Sequence, residues 1–167
     1  MDKAIRSAGF FVSHAVWIIS KKVGILGPFA GFESPDNHRT LVEFDDKEFA
    51  LRVETARKWL DENPDGAVHA VLIFDGFVLL PSGKTDALII EVRKYGSAPE
   101  SLSMLVPYRP LSAPEGFGVY RPRYLEYSGW QEESLSEDSA VLDEAFWRGV
   151  ASHDDGATAW KKIDDAS

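Results

Sequence analysis

The chain contains no cysteine. That single absence removes disulfides, thiolate metal sites and cysteine nucleophiles, and it fits a reducing compartment, so the expected location is cytoplasmic. A membrane-length apolar run is also missing. The longest near the start, Ala8–Ile19, contains Ser13 and His14 and falls short of the roughly 20 residues that span a bilayer. It is followed by Lys21 and Lys22 instead of a small-residue cleavage site, so it reads as part of a soluble fold and not as a leader or anchor. Histidine is sparse: His14, His38, His69 and His153 have no i, i+3 or i, i+4 partner, which argues against a structural zinc site. His153-Asp154-Asp155 is a local exception near the C-terminal end.

Clustered positive charge is the next thing lacking. Eighteen Lys and Arg stand against 27 Asp and Glu, for a net charge of −9 and a pI near 4.9. Binding to free nucleic acid needs grouped Lys and Arg to track phosphates, so that partner class is not expected. From Glu126 onward eleven acidic residues face only Arg148, Lys161 and Lys162. A basic protein partner for this part and a solvated acidic tail both follow from such a distribution. No cofactor motif is present. Pro81-Ser82-Gly83-Lys84-Thr85 has the Gly-Lys-Thr of a phosphate loop without its upstream glycine or a following helix, and no serine sits in a Gly-x-Ser-x-Gly turn.

What is present suffices for one core. At 167 residues, 44% hydrophobic and 12% aromatic, the chain reads as a single α+β domain over residues 1–151 with a loosely ordered acidic tail over 152–167. Asp2–Ser13 reads as a short helix. From His14 the β-branched and aromatic residues Val16, Trp17, Ile18 and Ile19 predict a strand, followed by strands at Val23–Phe32, bent at Gly27-Pro28, and Arg39–Phe44. The clearest helix runs from Asp46 to Glu62. Asp45 and Glu48 suggest a capping box, Phe49, Val53, Ala56 and Leu60 form its apolar stripe, Glu54 and Lys58 pair on its outside, and Asn63-Pro64-Asp65-Gly66 stops it. Ala67–Leu80, Lys84–Tyr95 and Ser101–Tyr108 predict a three-strand meander whose first hairpin is apolar on both faces in its middle. A second helix is expected at Glu137–Ala151, capped by Ser134 and burying Leu142, Ala145, Phe146 and Val150. The expected architecture is therefore an antiparallel sheet from two three-strand meanders, with one central helix between them and a second helix near the C-terminus. His14–Ser20 and His69–Asp75 share His-Ala-Val and a following Ile, consistent with two similar β-units.

Three functional readings follow from particular residues. Asp75 followed by Glu91-Val92-Arg93 on the next strand resembles the acidic residue and Glu-x-Lys pattern of the restriction-endonuclease-like superfamily. The resemblance covers this hairpin only, and it implies a Mg²⁺-dependent hydrolase or nuclease site. Arg93 stands where that pattern has lysine; a guanidinium that keeps its proton stabilises charge but does not act as a base. A two-residue turn at Ser82-Gly83 would set Phe74 opposite Glu91 and Asp75 opposite Ile90, leaving Asp75 and Glu91 on opposite faces. The second reading is a non-enzymatic interaction module, immunity-like or antitoxin-like in its acidity. Its contact residues would come from Tyr108, Arg109, Tyr120, Arg121, Arg123, Tyr124, Tyr127 and Trp130, a proline-broken stretch rich in the types that anchor interfaces. An uncovered strand edge would in addition permit a homodimer. The third is a carrier holding a small apolar ligand among Trp17, Phe49 and Trp59.

Overall fold

The computed structural model describes residues 1–128, 135–160 and 162. Trp130, Ser134 and Ile163 lie outside what it describes, as does the side chain of Glu137, so the proposed cap does too.

The chain begins with one continuous helix, α1 (Asp2–Ile19). Ile5, Ala8, Val12, Ala15, Val16 and Ile19 recur at helical spacing, and all are buried. The strand expected over His14–Ile19 is thus the second half of α1. β-branched residues lower helix propensity by only tenths of a kcal/mol, whereas burying each such side chain contributes roughly 2 kcal/mol. The shared His-Ala-Val then sits once on a helix and once on a strand, which removes the argument for duplication.

An antiparallel hairpin follows, β1 (Phe29–Glu33) and β2 (Arg39–Glu43). Helix α2 (Phe49–Glu62) starts later than expected, with Glu48 as an N-cap that makes no side-chain cap bond. Asp46 instead accepts the Thr55 hydroxyl at 2.7 Å. The outer ion pair is Lys58 with Glu62, not Glu54 with Lys58. Val53, Ala56 and Leu60 are buried as the stripe required, and Asn63 ends the helix in the left-handed conformation, φ 47°.

The meander is β3 (His69–Leu80), β4 (Gly83–Lys94) and β5 (Glu100–Arg109). Two short strands, β6 (Gly118–Val119) and β7 (Arg123–Tyr127), both pair with β5. The sheet order is β2-β1-β3-β4-β5-β6, with every strand pair antiparallel. Two clusters share this sheet. On one face Val71, Ile73, Leu88, Ile90, Met104 and Val106 meet α1; on the other Ala70, Leu72 and Phe74 meet α2. Helix α3 (Leu135–Ala151) lies against α1 and buries Leu142, Ala145, Phe146 and Val150. Where a loose tail was expected, Asp154–Ala159 form a short helix, α4, that contacts α1, and Trp160 is buried against Phe146 and Trp147. Among the described residues no helix is long and apolar enough to cross a membrane.

Candidate functional site

The β3-β4 hairpin outruns its neighbours. β1 pairs with β3 only as far as Phe29 opposite Ile73, and β5 pairs with β4 only as far as Pro107 opposite Ala87. Side chains alternate across a strand, so past Ile73 the α1 face of β3 carries Asp75, Phe77 and Leu79. Directly opposite on β4 come Leu88, Asp86 and Lys84. Asp75, Phe77, Asp86 and Lys84 line a recess of about 350 Å³, closed by the Gly24-Ile25 loop, Phe49, Tyr108 and Ser112.

Its floor is an anchored carboxylate. Asp75 Oδ2 accepts the Leu26 backbone N–H at 2.9 Å, and the Tyr108 hydroxyl donates to both carboxylate oxygens at 2.9 and 3.0 Å. Burial raises the Asp75 pKa above the ordinary carboxylate value, while the Leu26 and Tyr108 hydrogen bonds pull the other way. Burial, and then the Asp75 charge, push the Tyr108 hydroxyl upward, which keeps it a donor. Asp86 adds a second carboxylate to the lining, and the Lys84 ammonium lies 4.0 Å from the Phe77 ring centroid. Two of the lining side chains, Ile25 at 77% and Phe77 at 56%, are apolar and exposed, and Val23 and Leu79, each two residues further along the same segments, are 74% and 75% accessible. A carboxylate floor under such a lip suits a cationic group carried on an apolar stem.

Glu91 and Arg93 lie elsewhere. The hairpin turns at Pro81-Ser82, so Leu72 faces Glu91 and Asp75 faces Leu88, two residues away from the expected register. A shift of two preserves the side-chain faces, so Asp75 and Glu91 remain on opposite sides of the sheet. On the α2 side Glu91 Oε1 takes Arg57 Nη2 at 2.6 Å and Nε at 2.8 Å, while Arg93 Nη2 reaches Asp61 at 3.3 Å. The three residues of the nuclease-like pattern therefore do not converge. No cluster of three or more His, Asp or Glu suited to a metal ion occurs among the described residues.

The aromatic and arginine stretch is largely occupied internally. Tyr108 holds Asp75, Tyr124 donates to Asp143 at 3.4 Å, and Tyr127 donates to Glu100. Arg109 Nε donates to the Gly116 carbonyl at 2.7 Å, and Arg121 lies 3.6 Å from Asp143. Tyr120 and Arg123 are half-buried. A wider groove of about 750 Å³ runs between Arg121, Tyr124 and the Asp143-Trp147 side of α3. The three candidate carrier residues do not share a cavity: Trp17 packs on His14 and His153, Trp59 on Phe32 and Phe44, and Phe49 lines the Asp75 recess.

Sequence spacing gave no hint that His14 and His153 meet, yet their ring nitrogens are 3.1 Å apart. It also passed over Val23, Ile25, Phe77 and Leu79. For the last two a sign was available, since apolar residues continue along β3 to the turn while their partners Asp86 and Lys84 are charged. No protein family, curated protein or solved structure matches this chain.

Proposed function

We propose that the chain is a protein-binding module that takes an apolar, basic segment of a partner protein into the Asp75 recess. The observation that carries this reading is the lip: Ile25 and Phe77, from two separate segments, are exposed at the rim of one carboxylate floor, and the exposed Val23 and Leu79 follow them along the same segments. Single exposed apolar residues are ordinary, but a grouped set marks an interaction surface. The partner's chemistry follows from charge. Asp75 and Asp86 outnumber Lys84 in the recess and the whole chain carries −9, so a lysine or arginine on the partner is attracted and an acidic segment repelled. This keeps the expected partner class and moves its contact surface from the Tyr108–Trp130 stretch to the β3-β4 hairpin, with Tyr108 common to both.

The test is to pan a random peptide display library against the protein and repeat the selection with a Phe77→Asp, Leu79→Ser variant. The reading expects enriched peptides that combine apolar residues with Lys or Arg, that lose binding to the variant, and that shift the amide resonances of Ile25, Asp75 and Phe77. Binders that are acidic, that ignore the double substitution or that map to Arg121 and Tyr124 would overturn it, as would a selection without binders.

A further inference from the structure

Helix α4 is joined to the body of the fold through a pair of imidazoles. His153 is its N-cap, and its Nδ1 accepts the Gly156 N–H at 3.0 Å. A nitrogen that accepts carries no proton, so neutral His153 is protonated on Nε2. That Nε2 lies 3.1 Å from His14 Nδ1 on α1, which must then be the acceptor and leave the His14 proton on its own Nε2. The free lone pair of His153 is spent on the helix cap, and that of His14 on His153. An added proton has no vacant position on either ring. On His153 Nδ1 it would confront the Gly156 N–H; on His14 Nδ1 it would confront the His153 N–H.

The seat around the pair leaves little room to adjust. A Cβ on Gly156 would fall 2.3 Å from both the carbonyl and the hydroxyl oxygen of Ser13, so α4 rides directly on the α1 backbone. The His153 ring lies 5.0 Å from Phe10 and 6.3 Å from Trp17, centroid to centroid. Fixed charges of both signs lie nearby. Lys22 and Arg52 share a recess with His14, Glu43 and Asp45; Arg39 covers Phe10 and Lys21 covers Trp17; Asp154 and Asp155 open α4. Arg39 is itself paired with Glu33, and among the described residues the histidine ion pairs are those of His38 and His69, so neither ring of this pair has a carboxylate in place to hold an imidazolium.

We propose that α4 is a proton-released flap, held on α1 while His14 and His153 are both neutral and freed when either takes up a proton. Burial, and then repulsion from His153, hold the His14 pKa below its ordinary value, which puts the transition on the acidic side of about pH 6.5. Release would uncover the Ser13 surface of α1 and the Trp160 ring, and with them an apolar strip beside Phe146 and Trp147.

The experiment is amide hydrogen exchange by NMR on the whole chain between pH 7.5 and pH 5, with protection of the Ala157 and Trp160 amides compared with that of Val150 on α3. Both α4 amides are bonded within the helix, to the His153 and Gly156 carbonyls. The flap predicts that their protection relative to Val150 falls about tenfold for each pH unit below the transition. In His153→Asn, where the amide still caps α4, and in His14→Gln, the fall should be largely absent. Two outcomes overturn the proposal. One is α4 protection that holds to pH 5 while the His14 imidazole titrates. The other is an acid loss that is the same in wild type and both variants, which would assign it to His69 or to carboxylates.

Discussion

Gly9 on α1 and Gly149 on α3 touch backbone to backbone: a Cβ on Gly149 would lie 3.0 Å from the Gly9 Cα and 2.0 Å from the Arg6 carbonyl oxygen. One on Gly9 would lie 2.2 Å from the Phe146 carbonyl oxygen. In an isolated helix Gly→Ala gains about 1 kcal/mol. Here the helices must separate, and overpacking of this kind costs roughly 3 kcal/mol, so Gly9→Ala and Gly149→Ala should each be net destabilising by about 2 kcal/mol. Urea unfolding midpoints measure this; a variant as stable as wild type would mean the two helices are not in this contact.

The Asp75 floor should respond to Tyr108 more than to its own charge. Tyr108→Phe removes a hydrogen bond to a carboxylate and is expected to cost about 1.5 kcal/mol at pH 7. Asp75→Asn should cost less than that, since the amide oxygen still accepts from Leu26 and the amide N–H can donate to the Tyr108 oxygen. Asp75→Ala leaves both groups without their partner and should be the worst of the three. Because the folded pKa of Asp75 is raised, its ionisation opposes folding, and Asp75→Asn should compare better with wild type at pH 7 than at pH 4. Unfolding curves at the two pH values decide the order.

Phe77→Asp with Leu79→Ser should leave the fold unchanged. Both side chains are largely exposed, and such substitutions fall within about 0.5 kcal/mol. A thermal midpoint close to wild type makes any loss of binding in this variant a surface effect; a large drop would mean that the lip is packed in the folded state.

Two neighbouring cations on α2 should differ. Arg57 makes two bonds to the mostly buried Glu91 and lies 5.3 Å from the Phe74 ring, whereas Lys58 meets the exposed Glu62 at 3.8 Å. Arg57→Ala is expected to cost about 1 kcal/mol, and Lys58→Ala nothing measurable. Equal effects in denaturant titration would contradict the geometry.

Acid should weaken the fold before carboxylates protonate. Burial lowers the pKa of His69, with Glu33 opposing, and lowers that of His14. The unfolded chain therefore binds a proton near pH 6.5 where the folded one does not, and stability should be level above about pH 7 and fall as pH drops through 6.5. His69→Gln should remove part of that slope. A flat profile from pH 8 to pH 5.5 would show that neither ring is held neutral.

Elements with an unmixed period were readable before any coordinates. The stripe Val53, Ala56, Leu60 and the double-sided apolar run of β3 and β4 each admit one solution, and α2 and the meander formed there. At His14–Ile19 two periods overlap: Val16, Ile18 and Ile19 suit a strand locally, but Ile5, Ala8, Val12, Val16 and Ile19 continue a helical stripe, and the longer pattern prevailed because it buries more. The hairpin register slipped by two because Gly83, φ 118°, serves as the first residue of β4 and leaves Pro81-Ser82 as the turn. Contacts between distant residues left no trace in spacing. Leu26 with Asp75 and His14 with His153 are 49 and 139 positions apart, and the tail composition concealed that Gly156 and Trp160 have places waiting on α1 and α3.

Helix α1 lies between the sheet, where Gly31 makes room for the Phe11 ring, and α3, where Gly149 meets Gly9. Synthesis runs in the opposite order to this packing. Among the elements of this fold α1 is made before the others, and one of its flanks is covered only by α3 and α4, which follow every strand, while the β3-β4-β5 meander and α2 have their partners well before then. The sheet and α2 are thus free to assemble during translation, with α1 as an adhesive apolar rod in need of protection until α3 follows. A delay anywhere between Ile19 and Gly149 would prolong that exposed interval equally, and one after Tyr127 would do so with every strand of the sheet already made.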